Sequence, residues 1–172
     1  MNQVINKKLE EAFNKQINAE FYSAYLYLSM AAYLSKENFE GFASWMKVQF
    51  EEEQFHAFKM YDYLLERGGE VKLELIEKPQ TEWNGIIDVF DATLKHERHV
   101  SALINKLADV ADEVKDRASL SYLQWFIDEQ VEEESNAETI LKQLEFVEGK
   151  GHGVLMLDRE LGSRVFTPPT TV

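Results

Sequence analysis

Apolar positions recur every three or four residues through four long stretches of this 172-residue chain, the signature of amphipathic helices. The first predicted helix covers Asn6 to about Lys36. Its stripe is Leu9, Phe13, Gln16, Glu20, Ala24, Tyr27, Ala31 and Leu34, with neither Gly nor Pro inside it. A break at Ser35 to Asn38 leads into a second helix, from about Phe39 to Arg67. That stripe reads Phe42, Trp45, Met46, Gln49, Glu53, His56, Met60 and Leu64, and it is stopped by Gly68-Gly69. Val71 to Gly85 mixes Val, Leu and Ile with Pro79, Trp83 and Gly85 and reads as an extended connector. The third helix runs from about Ile86 to Val114, with Phe90, Leu94, Glu97, Ser101, Ile104, Ala108 and Ala111 in its stripe. After a break near Lys115-Asp116 the fourth covers about Arg117 to Val147, through Leu120, Leu123, Ile127, Gln130, Glu133 or Glu134, Ala137, Leu141 and Leu144. Gly149, Gly151 and Gly153 read as a loop before a short fifth helix, Val154 to Leu161, and Pro168-Pro169 marks a terminal tail.

Four long amphipathic helices predict an all-α fold, a four-helix bundle in one domain spanning residues 1–172. The breaks after helices one and three are short, so each of those pairs is antiparallel. The connector of about fifteen residues reaches about 50 Å when extended, and a helix of about 27 residues is about 40 Å long. The connector therefore runs the length of the bundle and sets helices two and three parallel, giving an up-down-down-up order with one long crossover.

Each stripe carries a polar interruption near its middle: Glu20, then Glu53 with His56, then Glu97, then Gln130 with Glu133. Glu20 and Glu53 lie 33 positions apart, as do Glu97 and Gln130, and His56 and Glu133 each follow three residues later. Hairpins folded near Glu37 and Lys115 bring both pairs to nearly the same height. Glu53 and His56, three apart, share one helix face. Taken one at a time these residues have ordinary explanations. A single Glu at a stripe position is usually a snorkelling or edge residue, a lone His a satisfied core or boundary residue, and Glu51-Glu52-Glu53 and Glu132-Glu133-Glu134 solvated faces. The structural explanation weakens because the interruptions occur in all four helices with one repeated spacing. A buried carboxylate and imidazole are costly alone, and a cation that both ligate removes that cost. Carboxylates with one imidazole and no sulfur suit iron or manganese better than zinc or copper, and two ions share the charge of four carboxylates better than one.

Composition narrows the chemistry. The net charge is −13, from 31 acidic and 18 basic residues, which argues against nucleic acid and anionic membranes as partners and suits cations or plain solubility. The absence of cysteine excludes disulfides, a thiol nucleophile, zinc knuckles and a Cys-ligated iron centre. Met1 to Glu10 hold no apolar core of a secretory signal. The most apolar run, Ala24 to Leu34, is too short to span a bilayer and is broken by Ser29. A cytoplasmic location is the expectation.

Ala19-Glu20-Phe21-Tyr22-Ser23, Glu52-Glu53-Gln54-Phe55-His56-Ala57 and the run Trp125 to Glu134 resemble the signatures of non-haem bacterial and archaeal ferritins. The resemblance extends over nearly the whole chain, including Glu66-Arg67-Gly68-Gly69 and the last short helix. It implies a ferritin-like bundle, described in general by a Glu from each of two helices and Glu-x-x-His from the other two. This chain departs from that symmetry, with Gln130-Val131-Glu132-Glu133 in the second half. That points to the ferritin branch without haem rather than to bacterioferritins.

The resemblance implies one iron on Glu20, Glu53 and His56, and a second sharing Glu53 and using Glu97, with Gln130 and Glu133 close by. A third, looser iron site matches Glu52, Glu129, Glu132 and Glu133. Tyr27 resembles the family's tyrosine beside the di-iron centre. Trp125 reads as either a second electron donor or core packing. The implied activity is a ferroxidase that oxidises Fe(II) with dioxygen or peroxide and stores the product as ferric oxide in a homo-oligomeric shell of 24 subunits. Aromatics outside the core would fill interfaces, and the short last helix would pack at a symmetry axis. Two other classes stay open at this point. A rubrerythrin-type oxidoreductase has a compatible bundle but ordinarily carries a Cys-ligated iron domain. A purely structural bundle would bind no metal at all. A DNA-protecting mini-ferritin fits less well, because its site lies between subunits.

Overall fold

The computed structural model describes residues 4–169. Met1 to Gln3 and residues 170–172, the two ends of the 1–172 span, lie outside the described residues. Among the described residues there are five helices and no strand: α1 (Lys7–Lys36), α2 (Glu40–Glu66), α3 (Ile86–Glu113), α4 (Arg117–Phe146) and α5 (Gly151–Leu161). The all-α bundle with a short fifth helix is as expected, with two adjustments. The outermost predicted residues Asn6, Phe39, Arg67, Val114 and Val147 are caps and not helical turns. Helix α5 begins at Gly151, three residues before the expected Val154, so Gly151 and Gly153 belong to the helix.

Local chemistry sets the ends. Asn6 caps α1 by accepting from the Lys8 amide at 2.9 Å, and Asp116 caps α4 by accepting from the Ser119 amide at 2.9 Å. The four long helices finish in the same way: a left-handed residue (Asn38, Gly68, Lys115 or Glu148) lets the next amide reach back five residues. Those bonds run Phe39 to Leu34, Gly69 to Leu64, Asp116 to Ala111 and Gly149 to Leu144, at 2.8–2.9 Å. Two of these turns are spelled without glycine or asparagine, at Lys115 and Glu148, where propensity alone gives no stop signal.

The crossover 67–85 climbs along α1. Asn14 donates to the Glu70 carbonyl (2.9 Å), Asn18 to that of Leu75 (3.2 Å) and Ser29 to that of Gln80 (2.6 Å), and Tyr33 donates to that of Trp83 (3.0 Å). Rising α1 numbers meet rising crossover numbers, so the segment traverses the bundle and α3 starts beside the end of α1. That is the up-down-down-up order. The lower end is tied by Arg67, whose guanidinium grips Asp116 at 2.8 and 3.2 Å, and by Tyr63 stacked on Tyr122 at 3.7 Å.

The core is two apolar clusters, one above the other. The upper holds Tyr27, Met30, Leu34, Phe42, Trp45, Met46, Phe90, Leu94, Leu141 and Leu144. The lower holds Leu9, Phe13, Ile17, Met60, Leu64, Val100, Ile104, Leu123 and Phe126. The expected stripes of α1 and α2 are buried throughout. In α3 and α4 the stripe is rotated slightly: Ser101, Ala108, Leu120 and Ile127 are half-buried, while Val100, Leu107, Ser119 and Phe126 point inward.

Helix α5 folds back onto the start of α2, where Asp158 Oδ1 accepts from the Phe42 amide at 3.0 Å. Gly41 makes the approach possible, because a Cβ there would lie 1.6 Å from the Asp158 carbonyl oxygen. Gly41→Ala is therefore expected to push α5 away, at a cost of about 1–3 kcal/mol as for other overpacked contacts. The check is a lower denaturation midpoint together with faster amide exchange at Phe42.

Candidate metal centre

Between the two apolar clusters lies a layer of buried polar side chains, one group from each long helix. In α1 it is Glu20, between Ile17 below and Tyr27 above. In α2 it is Glu53 and His56, between Met46 and Met60. In α3 it is Glu97, between Leu94 and Val100, and in α4 Gln130 and Glu133, between Phe126 and Ala137. All six are at most 6% exposed. The four interruptions lie at one height, because the two hairpins fold symmetrically about them.

Ligand atoms of Glu20, Glu53 and His56 lie within 4.8 Å of one another. His56 Nδ1 faces Glu53 Oε2 at 3.5 Å. Glu53 Oε2 is buried with no hydrogen-bond partner. Such an orphaned carboxylate oxygen is rare in a finished core and fits a site completed by a cation. Uncharged donors hold the remaining carboxylates in place. Gln16 Nε2 donates to Glu20 Oε1 at 2.8 Å, and Gln49 Nε2 donates to Glu133 Oε2 at 2.9 Å. The Tyr27 hydroxyl donates to Glu97 Oε1, and Gln130 Nε2 donates to Glu97 Oε2 at 3.2 Å.

Crowding of like charge in a dry layer moves the acids upward. Burial, then Glu20 and Glu97, pushes the Glu53 carboxyl well above its ordinary range. Burial raises Glu97 to about 7 against the bonds from Tyr27 and Gln130, and burial with Glu97 and Glu52 raises Glu133 to about 8. Burial and the neighbouring acids likewise raise the Tyr27 phenol well above its usual value. The set thus holds protons that a divalent cation would displace.

The remaining expected site residues lie at the edge of this layer, on the face shared by α2 and α4. Glu52 and Glu129 are half-buried and Glu132 is exposed. Burial, with Glu132 and Glu52 nearby, raises the Glu129 carboxyl, which also faces His56. Trp125 packs edge-on against His56 at 5.5 Å with Lys59 over its ring at 4.8 Å, so packing accounts for its position.

Four contributors have no role assigned from the sequence. Gln16 and Gln49 stand on their stripes as polar interruptions, and an amide one turn from each Glu is the signal that identifies them. His96 bonds Ser23 Oγ at 2.8 Å and stands edge-on to Tyr27 at 5.9 Å. Arg164, beyond α5, donates to Gln49 Oε1 at 2.6 Å and to Glu52 Oε2 at 2.7 Å. It lies outside any periodic segment, so no pattern points to it.

Fold and site together define an α-helical bundle with a carboxylate-rich interior centre whose Glu20, Glu53 and His56 are spaced to hold a metal ion. A family model described as a ferritin-like domain matches residues 10–147. The chain is 43% identical over 161 residues to a bacterial non-heme ferritin of Bacteroides fragilis, covering 94% of this chain and 100% of that one. It is 37% identical over 163 residues to one of Staphylococcus aureus, covering 95% and 98%. An open-pore ferritin of the hyperthermophilic archaeon Archaeoglobus fulgidus superposes with TM-score 0.92 at 45% identity, covering 94% of this chain and 99% of that one. An engineered closed form of that ferritin superposes with TM-score 0.93 at 46% identity, covering 95% and 99%. The chain belongs to the ferritin family, on its non-haem side, and this membership supports iron storage as its function.

Metal removal gives a pH signature. Glu97 and Glu133 titrate near 4.5 when unfolded and at about 7 and about 8 when folded. The folded state therefore binds more protons across that window, and their contribution to stability is fully present below pH 4.5 and lost as pH rises through 8. The metal-free protein is expected to melt at progressively lower temperature from pH 5 to pH 8. Excess divalent iron under anaerobic conditions should flatten the decline, and thermal denaturation at each pH checks it.

Proposed function

We propose that the chain is an iron-storage ferritin with ferroxidase activity, and the observation that carries this is the buried Glu20–Glu53–His56 cluster with its orphaned Glu53 oxygen. Fe(II) is the substrate. One ion binds Glu20, Glu53 and His56. A second shares Glu53 and takes Glu97, with Gln130 and Glu133 beside it. The carboxylate-rich set favours the more highly charged Fe(III) state. Two Fe(II) each give up one electron, and dioxygen takes both with two protons to form hydrogen peroxide; peroxide itself serves as an alternative oxidant. Tyr27, bonded to Glu97, stands beside the pair of ions and holds that carboxylate in place. Fe(III) then leaves and hydrolyses to ferric oxide. The protein positions the ions and compensates charge; the redox chemistry belongs to iron. Glu52, Glu129, Glu132 and Glu133 form a third, weaker site.

Storage requires a container, and we infer a closed homo-oligomer of 24 subunits. Two exposed apolar regions support this reading. One is a groove of about 700 Å³ along α1 and the crossover, lined by Tyr25, Leu28, Leu75 and Ile76. The other comprises Phe146, Leu155 and Met156 around the α4–α5 junction. Among the described residues no helix is long and apolar enough to cross a membrane. We place this activity in the cytoplasm, with neither nucleic acid nor membrane as partner and without haem.

Aerobic Fe(II) addition to the metal-free protein tests the chemistry. The double variant Glu53→Ala/His56→Ala is expected to slow oxidation more than about 100-fold, since even outer-shell partners of a metal site cost about 10–100-fold. A rate equal to wild type would refute the assignment. Light scattering tests the container: the expected particle has 24 times the 20.0 kDa subunit mass, and a stable 20.0 kDa monomer would remove the storage role.

A further inference from the structure

After α5 the chain turns back over the metal centre. Gly162 passes close to Gly41, and the tail then descends along α2. Arg164 stacks over the Trp45 ring at 4.7 Å, and Phe166 meets Phe55 at 6.4 Å. This path crosses the face where α2 and α4 present Glu52 and Glu129. Arg164 and Glu52 are each only 25% exposed. The guanidinium spans two acceptors, Glu52 Oε2 at 2.7 Å and Gln49 Oε1 at 2.6 Å.

We propose that Arg164 is a positioning and gating residue of the metal centre: a resident cation on Glu52 that also fixes Glu133 through Gln49. The inference rests on the ferroxidase reading of that centre. The physical reasons are two. First, Arg164 and a metal ion compete for the same Glu52 oxygen, so a third ion binds there only when the guanidinium swings away. A permanently charged, planar group with two hydrogen bonds and an aromatic platform is well held in this place. Second, a primary amide has one acceptor and one donor end. With Arg164 donating to Gln49 Oε1, Nε2 must face Glu133, which it does at 2.9 Å. Removing Arg164 frees the amide to turn over and present oxygen to oxygen, so Glu133 loses its fixed orientation. The tail thereby links occupancy of the outer site to the geometry of an inner carboxylate.

The test is anaerobic Fe(II) titration of the full-length, metal-free oligomer by calorimetry, for wild type, Arg164→Ala and Arg164→Lys. Wild type is expected to bind two ions per subunit tightly and a third weakly. Arg164→Ala should tighten the third step by about three- to tenfold, the size of a half-buried, charge-assisted pair, and leave the first two within about twofold. Arg164→Lys keeps a charge for Glu52 but cannot bridge to Gln49. Its third step should stay near wild type, while aerobic Fe(II) oxidation slows as in Arg164→Ala, because Glu133 is no longer fixed. An unchanged third step in Arg164→Ala overturns the gate, as does an equal tightening by both variants. Should wild type bind no iron tightly, the ferroxidase reading itself falls, a result distinct from failure of the gate. Asp158 anchors α5 independently of Arg164, and thermal denaturation of each variant confirms that the fold is retained.

Discussion

Four buried carboxylates share one layer with a single imidazole, and the rest of the molecule is arranged around that imbalance. Glu20, Glu53, Glu97 and Glu133 are each at most 6% exposed, and among the described residues no lysine or arginine is buried with them. Burial of like charge opposes folding unless protons or cations are supplied. The two apolar clusters above and below carry that cost, much as flanking core supports any strained functional layer. Without metal the acids respond by holding protons. Two divalent ions would match the four negative charges. The same imbalance that weakens the metal-free fold would favour cations at this site.

The partners of these acids share a property that follows from the same constraint. Gln16, Gln49, Gln130 and Tyr27 all donate hydrogen bonds, and none carries charge. A carboxylate held by an amide is oriented without being neutralised by a fixed cation. A lysine in the same place would orient it and neutralise it. Arg164 is kept one amide away from Glu133 and touches an edge carboxylate instead. Neutral donors inside and a cation at the rim give a centre that is fixed in shape yet short of positive charge.

Much of this was legible in the stripes. Every expected inward position of α1 and α2 is buried, because long helices with unbroken period leave little freedom in which face turns inward. The polar interruptions fall at one height because the hairpin turns are short and their offsets equal. The slight rotation of α3 and α4, which buries Leu107 and Phe126 in preference to Ala108 and Ile127, was not legible. The larger side chain won in three of the four neighbouring pairs; in the fourth Ser119, bonded to Tyr63 and Arg67, is buried in preference to Leu120. Nor was the helical start at Gly151, since glycine signals a break wherever tertiary packing does not override it.

Periodicity and the repeated 33-residue spacing determined four helices, their order, the long crossover and which acids face inward. These follow from local rules, since 3.6 residues per turn fixes a face and chain length fixes reach. Tertiary structure alone decided which groups touch. The Tyr27 bond to Glu97, the Gln49 bond to Glu133 and the return of Arg164 over α2 join residues 70, 84 and 115 positions apart. No local pattern encodes such contacts; they exist only once whole helices have packed and the tail has found the face they leave open.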